Sequence, residues 1–410
     1  MLGRMTIRRA TGDAVRAPRT LIFLIPRLAR GGMFSVLSET WKRLPRGPIR
    51  VISQERNALA APYPTLTVPR AMGDPLRFPG AWIYSYRIFR MARRAIRESP
   101  PGAVLIPQDS LATGFGAAVA GWLTGAPVIV MDHGSAIVIR TDFFWHERLS
   151  RGRLSERLRQ PLLRASLFLM YRLTCRLLTR AFLPSEEAVD RFIADGVPTD
   201  RVYRYHVPVD LERFRPASAG ERSSLRDRFG LPHDRVIAVT VSRLTPEKGL
   251  DVVVDAIGAL PSASRPHLVI GGVGPLRAQL EHRADRLGVE VAFLGEVPSD
   301  DLPALLRCAD LFTYASRQGT NVPVAILEAM ASGLVVIGTP HPPAMVEMLS
   351  EGRGLVVEAN DPNAYAQALV RSCASDRGER ERIGTAARHW VEGNHSPGAL
   401  NEELDRVLAI

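Results

Sequence analysis

The chain is predicted to fold as an α/β protein of two doubly wound domains, each a parallel sheet covered by helices. Its 410 residues exceed what one hydrophobic core usually organises. Short apolar runs alternate with segments of helical period, a pattern typical of parallel sheets. The alternation stops around residues 207–220, where prolines and a glycine fall, and then resumes. The sequence therefore predicts two Rossmann-like domains that face each other across a cleft.

The predicted strands form two series separated by this interruption. The first series comprises residues 20–25, 49–53, 103–107, 128–131 and 181–184. The second comprises residues 236–242, 268–271, 291–295, 311–315 and 334–338. Residues 1–18 are Arg-rich and unpatterned, which predicts a flexible tail. We expect domains at 19–207 and 218–392, followed at 393–410 by a C-terminal helix that packs back on the first domain.

The bulk composition excludes several classes of protein. With 46% hydrophobic and 23% charged residues, the chain is an ordinary globular protein and not a disordered one. Its cysteines, Cys175, Cys308 and Cys373, lie singly and predict neither a disulfide framework nor a zinc site. The apolar run at 21–26 is too short for the core of a signal peptide. We therefore expect a cytoplasmic protein, either free or peripheral at the inner face of the cell membrane.

One uncharged stretch, residues 110–131, is long enough to span a bilayer. Gly114, Gly121, Gly125 and Pro127 interrupt it. Such interruptions suit a helix, a turn and a short buried strand better than a membrane-spanning helix. The stretch is therefore predicted to belong to the first domain.

The charge is unevenly divided along the chain. Residues 1–180 hold 29 basic and 10 acidic side chains, whereas residues 181–410 hold 24 and 32. An excess of this kind predicts an anionic partner for the first half. Nucleic acid is one candidate, but the sequence carries none of the common nucleic-acid-binding motifs. An anionic membrane surface or a phosphorylated acceptor fits better, and no nucleic-acid partner is expected.

Residues 137–180 contain ten arginines among leucines and aromatic residues. One interpretation is a basic amphipathic helix that lies on lipid headgroups. The other, which the pattern favours, is an ordinary helix that buries its apolar stripe against the sheet and exposes its arginines to water.

Two cations follow the first strand of the second series. Arg243 and Lys248 stand five residues apart in a strand-to-helix loop, where both can reach one anionic group. A guanidinium and an ammonium at such a place would neutralise a diphosphate. The alternative is a pair of solvated loop charges. Lysine otherwise occurs only at Lys42, whereas arginine is common. Lys248 therefore departs from the chain's usual choice of basic residue.

Two further segments follow strands of the second series. Residues 271–276 form a Gly-rich turn, with Gly272 and Gly274, that lets backbone approach a ligand. Residues 316–333 read as a loop, a proline suited to a first helical turn, and a helix with Glu328 inside it. A carboxylate in an apolar helix needs a partner, and a ribose diol would serve. The first amides of this helix would face phosphates.

These motifs, in this order over about residues 180–345, resemble the large retaining glycosyltransferase family 4, group 1, whose fold is GT-B. The resemblance implies transfer of a hexose from a nucleoside diphosphate to an acceptor hydroxyl, in the synthesis of a glycan, a glycolipid or a cell-envelope polysaccharide. It implies that Arg243 and Lys248 bind the donor diphosphate and that Glu328 binds the ribose. The base would contact Gly272 and Gly274 together with Gly295 and Val297. Backbone at Val324 and Ala325 would hold the phosphates.

The first domain resembles the family more loosely. Gly31 and Gly32, after the first strand, are similar to the family's glycine loop over the donor phosphate. Asp132-His133-Gly134 is similar to its active-site histidine segment. By this resemblance His133 would be catalytic and would lie in the cleft near the transferred sugar and the acceptor. A lone histidine is otherwise more often structural.

The sequence departs from the family at one acidic position. The family usually has a second glutamate eight residues before the one matched by Glu328, and here that residue is Thr320. In the family this glutamate contacts hydroxyls of the donor sugar. Its replacement implies a different donor, a compensating contact from Thr320, Asn321 or Gln318, or a weakened enzyme. One alternative function is therefore a catalytically silent homologue that binds a nucleotide sugar as a partner subunit; a nucleic-acid-binding protein is another.

The resemblance also implies a reaction without a metal or other cofactor, in which the nucleotide sugar is a co-substrate. The acceptor would be a glycan, a lipid-linked sugar or a small hydroxyl compound. The pair Asp300-Asp301 does not form a D-x-D metal motif, and at a predicted helix start it is interpreted as a cap.

Overall fold

The computed structural model describes residues 19–25, 48–53, 65–67, 79–135, 139, 154–319 and 322–409. Over these residues the chain forms parallel sheets flanked by helices, as predicted. The predicted tail at 1–18 lies outside the described residues.

The first sheet is built from two groups of paired strands. One group has the order β3-β2-β1-β4 and the other β5-β6-β7. A parallel bridge between Leu105 and Val128 joins them. The strands are β1 (Leu21–Ile25), β2 (Ile49–Ser53), β3 (Thr65–Thr67), β4 (Val104–Pro107), β5 (Ile129–Met131), β6 (Arg180–Leu183) and β7 (Val202–Arg204). The helices are α1 (Gly80–Arg97), α2 (Ala112–Thr124), α3 (Leu154–Leu177) and α4 (Glu186–Ala194).

The second sheet has six parallel strands in the order β10-β9-β8-β11-β12-β13. They are β8 (Ile237–Val241), β9 (His267–Gly271), β10 (Val291–Gly295), β11 (Leu311–Tyr314), β12 (Val335–Gly338) and β13 (Leu355–Val356). The helices are α5 (Ala219–Phe229), α6 (Leu250–Gly258), α7 (Arg277–Leu287), α8 (Leu302–Cys308), α9 (Val324–Ala331), α10 (Ala344–Leu349), α11 (Pro362–Ala374), α12 (Arg377–Asn394) and α13 (Pro397–Leu408).

All ten predicted strands are present within a residue or two of their predicted ends. Three strands were not predicted: β3, β7 and β13. They are two or three residues long, too short for an apolar pattern to distinguish them. Each pairs with a single neighbour at the edge of its sheet.

Alternate residues of β1 point to opposite faces of the first sheet. Ile22 and Leu24 are fully buried in a cluster that contains Tyr84 of α1. Phe23, on the other face, joins a cluster with Val407 of α13. The C-terminal helix thus covers the face of the sheet opposite α1, and the apolar side chains there shield Phe23 from water.

Polar contacts fix α13 on the first domain. The Arg180 guanidinium donates to the carbonyl oxygens of Arg406 at 3.0 Å and Val407 at 2.8 Å. These carbonyls belong to the last turn of α13, where backbone oxygens lack helical partners. His206 Nδ1 lies 2.6 Å from Glu403 Oε1, and the same carboxylate accepts from the His206 amide. The end of the chain and the strand edge at β6 and β7 are therefore joined.

Residues 110–131 form the predicted helix, turn and strand. Helix α2 ends at Gly125, whose φ of 73° is a left-handed cap. At Gly121 a Cβ atom would lie 2.3 Å from the Val128 side chain, so only glycine allows the helix to approach the strand this closely. In the described part of the chain, no helix has the length and apolar character needed to cross a bilayer.

The basic segment at 137–180 is described at residue 139 and from 154 onward. There it forms α3, whose residues Leu163, Leu167 and Met170 are buried in the first-domain core. Arg159 and Arg164 face water. Over the described residues α3 thus packs on the core and exposes arginines, as its pattern favoured, but it also exposes the apolar side chains of Leu162, Phe168 and Leu169.

The interpretation of Asp300-Asp301 as a helix cap is confirmed for the position of Asp301 but not for its side chain. Asp301 holds the N-cap position of α8, but its side chain makes no capping hydrogen bond. Its carboxylate instead pairs with Arg228, and Asp300 lies 3.5 Å from Arg213. The arginines of neighbouring elements compete with the helix amides for these carboxylates, and a sequence-local pattern does not reveal them.

Candidate active site

The candidate site lies where the strand order of the second sheet reverses. The chain runs outward from β8 through β9 and β10, and then returns to the other side of β8 with β11. The loops after β8 and β11 therefore diverge at the carboxyl edge and leave a crevice, the usual ligand site of such sheets. The Arg317 amide donates to Glu247 O at 2.9 Å, and Ser316 Oγ donates to the same oxygen at 3.1 Å. The two loops are thus joined at their base.

Glu247 orients Arg243 in the loop after β8. Arg243 Nη2 lies 3.1 Å from Glu247 Oε1, and Thr245 Oγ1 donates to that oxygen at 2.6 Å. The side chain of Arg243 is 72% exposed, whereas that of Glu247 is 12% exposed. The guanidinium is therefore open to solvent at the carboxyl edge of the sheet, and one of its nitrogens is held by a largely buried carboxylate.

Lys248 ends the short turn Pro246–Lys248 of the same loop. Its Nζ lies 5.8 Å from the ring centroid of Tyr314, at the end of β11. Burial lowers the pKa of Lys248, and the charge of Arg243 lowers it further, while Glu247 opposes the shift. No carboxylate of the described residues forms a salt bridge with Lys248. An anion bound between the loops would supply the missing countercharge, and the convergence of Arg243 and Lys248 on one anion stays a prediction.

Glycines permit the close contacts between the loops. Gly249 has φ 62°, and a Cβ there would lie 2.0 Å from Ala315 O. Gly272 has φ 136°, and a Cβ would lie 1.8 Å from Ser242 O. At Gly274 the corresponding distance to Leu244 O is 2.4 Å. The loops after β8, β9 and β11 therefore meet backbone to backbone.

The two segments predicted to contact the base are joined to each other. The Gly272 amide donates to Gly295 O at 2.6 Å, so this amide serves the fold and not a ligand. Val297 is partly buried and packs against Gly271, where a Cβ would lie 2.7 Å from its Cγ2. The turn and the end of β10 thus form one wall of the crevice.

The Gly272→Ala variant is expected to lose about 2 kcal/mol or more of the free energy of unfolding, because it combines an unfavourable φ with a clash against Ser242 O. Gly295→Ala is the matched control. Its φ is 69°, but a Cβ there has no neighbour within 4 Å, so only the backbone strain remains. Urea unfolding of both variants measures the difference. Equal losses would contradict the close approach of the two loops.

Glu328 lies in the middle of α9, on a largely buried helix. The residue is 7% exposed, and no group of the described residues donates a hydrogen bond to the carboxylate. Burial raises the pKa of Glu328 to about 7, against a smaller lowering effect of Arg213. Val324 and Ala325 are half-buried in the first turn of α9, where backbone amides lack helical acceptors. Thr320 and Asn321 lie outside the described residues.

In the first domain, His133 follows β5 at the carboxyl edge of its sheet. Its Nε2 lies 2.8 Å from Gln108 Oε1, and its Nδ1 lies 2.9 Å from Tyr205 Oη. An amide oxygen only accepts, so Nε2 carries the proton and Nδ1 accepts from the tyrosine hydroxyl. Burial lowers the pKa of His133 to about 4 although Asp132 opposes the shift, so the imidazole is neutral at physiological pH.

A buried carboxylate shapes the loop that carries this histidine. Asp132 is 1% exposed and accepts hydrogen bonds from the backbone amides of Gly134 and Ser135, both at 2.7 Å, and of Ser110 at 2.9 Å. The hydroxyls of both serines also donate to it. The loops after β4 and β5 are therefore fixed to each other. Gly31 and Gly32, the predicted glycine loop, lie outside the described residues.

Several supporting residues were not predicted from the sequence: Gln108, Ser110, Tyr205, Glu247 and Ser316. Gln108 and Ser110 follow β4 as Asp132 follows β5, and their position after a buried strand could have indicated them. Among the described residues no cluster of His, Cys, Asp or Glu side chains could hold a metal ion.

Family models cover both halves of the chain. The model described as "Glycosyl transferases group 1" matches residues 221–390, which contain the β8 and β11 loops and Glu328. The model described as "Glycosyltransferase Family 4" matches residues 30–213, which contain His133. The chain belongs to glycosyltransferase family 4, group 1. The assignment confirms the resemblance seen in the motifs.

Curated glycosyltransferases match part of this chain. The GDP-mannose-dependent alpha-(1-6)-phosphatidylinositol monomannoside mannosyltransferase of Mycolicibacterium smegmatis is 35% identical over 50% of the chain and 56% of its own length. The putative colanic acid biosynthesis glycosyltransferase WcaL of Escherichia coli is 30% identical over 52% of each. The chain spans about half the length of the curated relatives it matches.

A solved GT-B structure confirms the fold. Anabaena Alr3699/HepE, crystallised in complex with UDP, superposes with a TM-score of 0.75 at 18% identity, over 95% of this chain and 99% of that one. At 18% identity this likeness shows the fold alone and carries no information on the roles of individual residues.

Proposed function

We propose that this chain transfers a hexose from a nucleoside diphosphate to an acceptor hydroxyl, with retention of the anomeric configuration. The observation that carries the proposal is the crevice between β8 and β11. Arg243 and Lys248 stand in the loop after β8, and the loop after β11 leads into α9, which carries Glu328. Among the described residues no group donates a hydrogen bond to the Glu328 carboxylate. Cations, helix amides and a carboxylate acceptor together match the diphosphate and ribose of a nucleotide.

The cations would act on the leaving group. As the bond to the sugar breaks, negative charge grows on the diphosphate, and groups already held in place stabilise it without reorganising. Arg243 is oriented by Glu247, and Lys248 lies against the Tyr314 ring, so both are held before a donor binds. The amides at Val324 and Ala325 would add a partial positive charge on the other side.

His133 would contribute as a neutral group. Its low pKa and its bonds to Gln108 and Tyr205 fix a tautomer with the proton on Nε2. A neutral imidazole can donate one hydrogen bond to a sugar hydroxyl or to the acceptor, and Nε2 would exchange Gln108 for that partner. Because it is neutral, His133 does not repel the positive charge that develops on the sugar, as an imidazolium would.

Retention and the choice of donor rest on the family. The mannosyltransferase relative is named as GDP-mannose-dependent, whereas the HepE structure contains UDP. A glycan or lipid-linked acceptor is supported by the two curated relatives, whose names refer to a phosphatidylinositol mannoside and to colanic acid.

Thermal-shift binding of a panel of nucleoside diphosphates and their sugars tests the donor site. One base is expected to raise the melting temperature of the wild type selectively, and the Arg243→Ala variant should lose this shift. Incubation with the selected donor and candidate acceptors, followed by NMR of the product, then reports the configuration of the new linkage. Absence of any shift would contradict the donor site, and an inverted product would contradict retention.

A catalytically silent homologue is the second candidate, because Thr320 replaces an acidic residue of the family. Such a protein would show the donor-induced shift but neither donor hydrolysis nor transfer. Restoring the acid with Thr320→Glu distinguishes the two: activity that appears only in this variant would favour the silent homologue.

A further inference from the structure

The exposed face of α1 combines aromatic and basic side chains. Tyr84 and Ile88 face the core, whereas Ile83 is 44% exposed and Tyr86 is 59% exposed. Trp82 and Phe89 are half-buried on the flanks of the same face. The second half of the helix carries arginines instead. The basic set of the helix is Arg87, Arg90, Arg93, Arg94 and Arg97.

Most of this positive charge has no local countercharge. The helix contains no acidic residue, and Glu98, which follows it, pairs with Arg94 at 2.7 Å. Within the described part of the chain, no carboxylate forms a salt bridge with Arg87, Arg90 or Arg97. Counting the described residues alone, the face therefore presents at least three uncompensated guanidinium groups beside exposed apolar side chains.

A second apolar group lies on the same side of the first sheet. Helix α2 packs beside α1, and its last turn carries Trp122, 69% exposed, and Leu123, 53% exposed. Gly121 contacts Val128, which precedes β5, so this turn lies at the amino edge of the sheet. Arg97 ends α1 shortly before β4 and lies toward the same edge. The arginines thus lie between an aromatic group at the start of α1 and the Trp122-Leu123 group.

We propose that this surface, formed by the outer face of α1 and the last turn of α2, docks the protein on an anionic lipid bilayer. Arginines beside exposed tryptophan, tyrosine and aliphatic side chains match the headgroup and upper acyl region of such a membrane. Nucleic acid would satisfy the charge but would leave Ile83 and Leu123 exposed to water. The inference goes beyond the proposed transfer reaction and does not depend on it.

The distribution of charge gives the docked protein an orientation. Residues 181–410 carry 24 basic and 32 acidic side chains, so an anionic surface repels the second domain while it attracts the first. The aromatic start of α1 lies toward the carboxyl edge of the first sheet, where His133 also lies. Docking along α1 therefore holds the acceptor side of the cleft beside the lipid.

Vesicle co-sedimentation of the full chain at physiological salt tests this surface. Wild type is expected to sediment with vesicles of equal parts phosphatidylglycerol and phosphatidylcholine but not with pure phosphatidylcholine. The Arg87→Gln/Arg90→Gln/Arg97→Gln variant should bind about 100-fold more weakly, at about 1 kcal/mol for each lost charge. Ile83→Ser/Tyr86→Ser should also weaken binding, with a salt dependence like that of the wild type.

The matched control removes three exposed arginines elsewhere, as Arg191→Gln/Arg286→Gln/Arg371→Gln, and should bind like the wild type. Equal loss in both triple variants, or no vesicle binding by the wild type, would overturn the proposal. So would binding of the wild type to oligonucleotides but not to vesicles at the same salt. Donor-induced thermal shifts on the same samples keep the two proposals apart, because an intact shift without vesicle binding contradicts the docking surface alone.

Discussion

The Lys248→Ala variant is expected to lower the rate of sugar transfer by about 100- to 1000-fold, the range found when one pre-organised charge or donor is removed from an active site. Lys248 has no carboxylate partner among the described residues, and the loop after β8 holds it against the Tyr314 ring. Its ammonium is therefore available to the diphosphate, and its loss should affect the transition state more than the bound donor. Turnover number and KM, measured separately, should show a large fall in kcat with a smaller rise in KM.

Lys248→Arg is the informative companion, because it keeps the charge but places a larger, planar group beside Tyr314. Partial recovery of kcat would assign the effect to charge. Arg243→Ala should have a smaller effect on kcat, since its guanidinium is mostly exposed and already paired with Glu247. If Lys248→Ala transferred sugar at the wild-type rate, the leaving-group role would be wrong. Urea unfolding should show that the variant is as stable as the wild type to within about 1 kcal/mol.

The fold could be predicted largely because its strands are continuous apolar runs. Leu21–Ile25 and Leu311–Tyr314 are buried on both faces, as strands covered by helices on two sides must be. Residues of β10 and β13 are half-exposed, yet β10 could be predicted because the run VAFLG is apolar and ends in a glycine. The two-residue β13 is defined only by its pairing with β12, which is a tertiary contact.

The place of the candidate site could also be inferred from the sequence, but the contacts that support it could not. Arg243 and Lys248 follow β8, and α9 with Glu328 comes after β11, so parallel strands place both segments at one edge of the sheet. The partners that orient them come from sequence positions far away. Tyr205 reaches His133 from 72 residues downstream, and Ser316 reaches Glu247 across 69. No local pattern encodes these contacts.

Glu328 offers a test in which stability and donor binding change in opposite directions. Its pKa is about 7 in the folded protein and about 4.5 in the unfolded chain. Below both values the two states are protonated and the group does not alter stability. As pH rises from about 4.5 to 7 the unfolded chain loses the proton first, so the wild type loses stability over this window, by about 3 kcal/mol in total.

The Glu328→Gln variant lacks this titration. It should match the wild type at about pH 4.5 and exceed its free energy of unfolding by up to about 3 kcal/mol at about pH 8. The same variant should bind the donor about 10- to 100-fold more weakly, because a single amide oxygen replaces a carboxylate that can accept from both ribose hydroxyls. Urea unfolding at the two pH values and calorimetric titration of the donor measure both effects. If the Glu328 carboxylate served only to stabilise the fold, the result would be the reverse. The variant would be less stable, because a native contact would be lost, and its donor affinity would be unchanged.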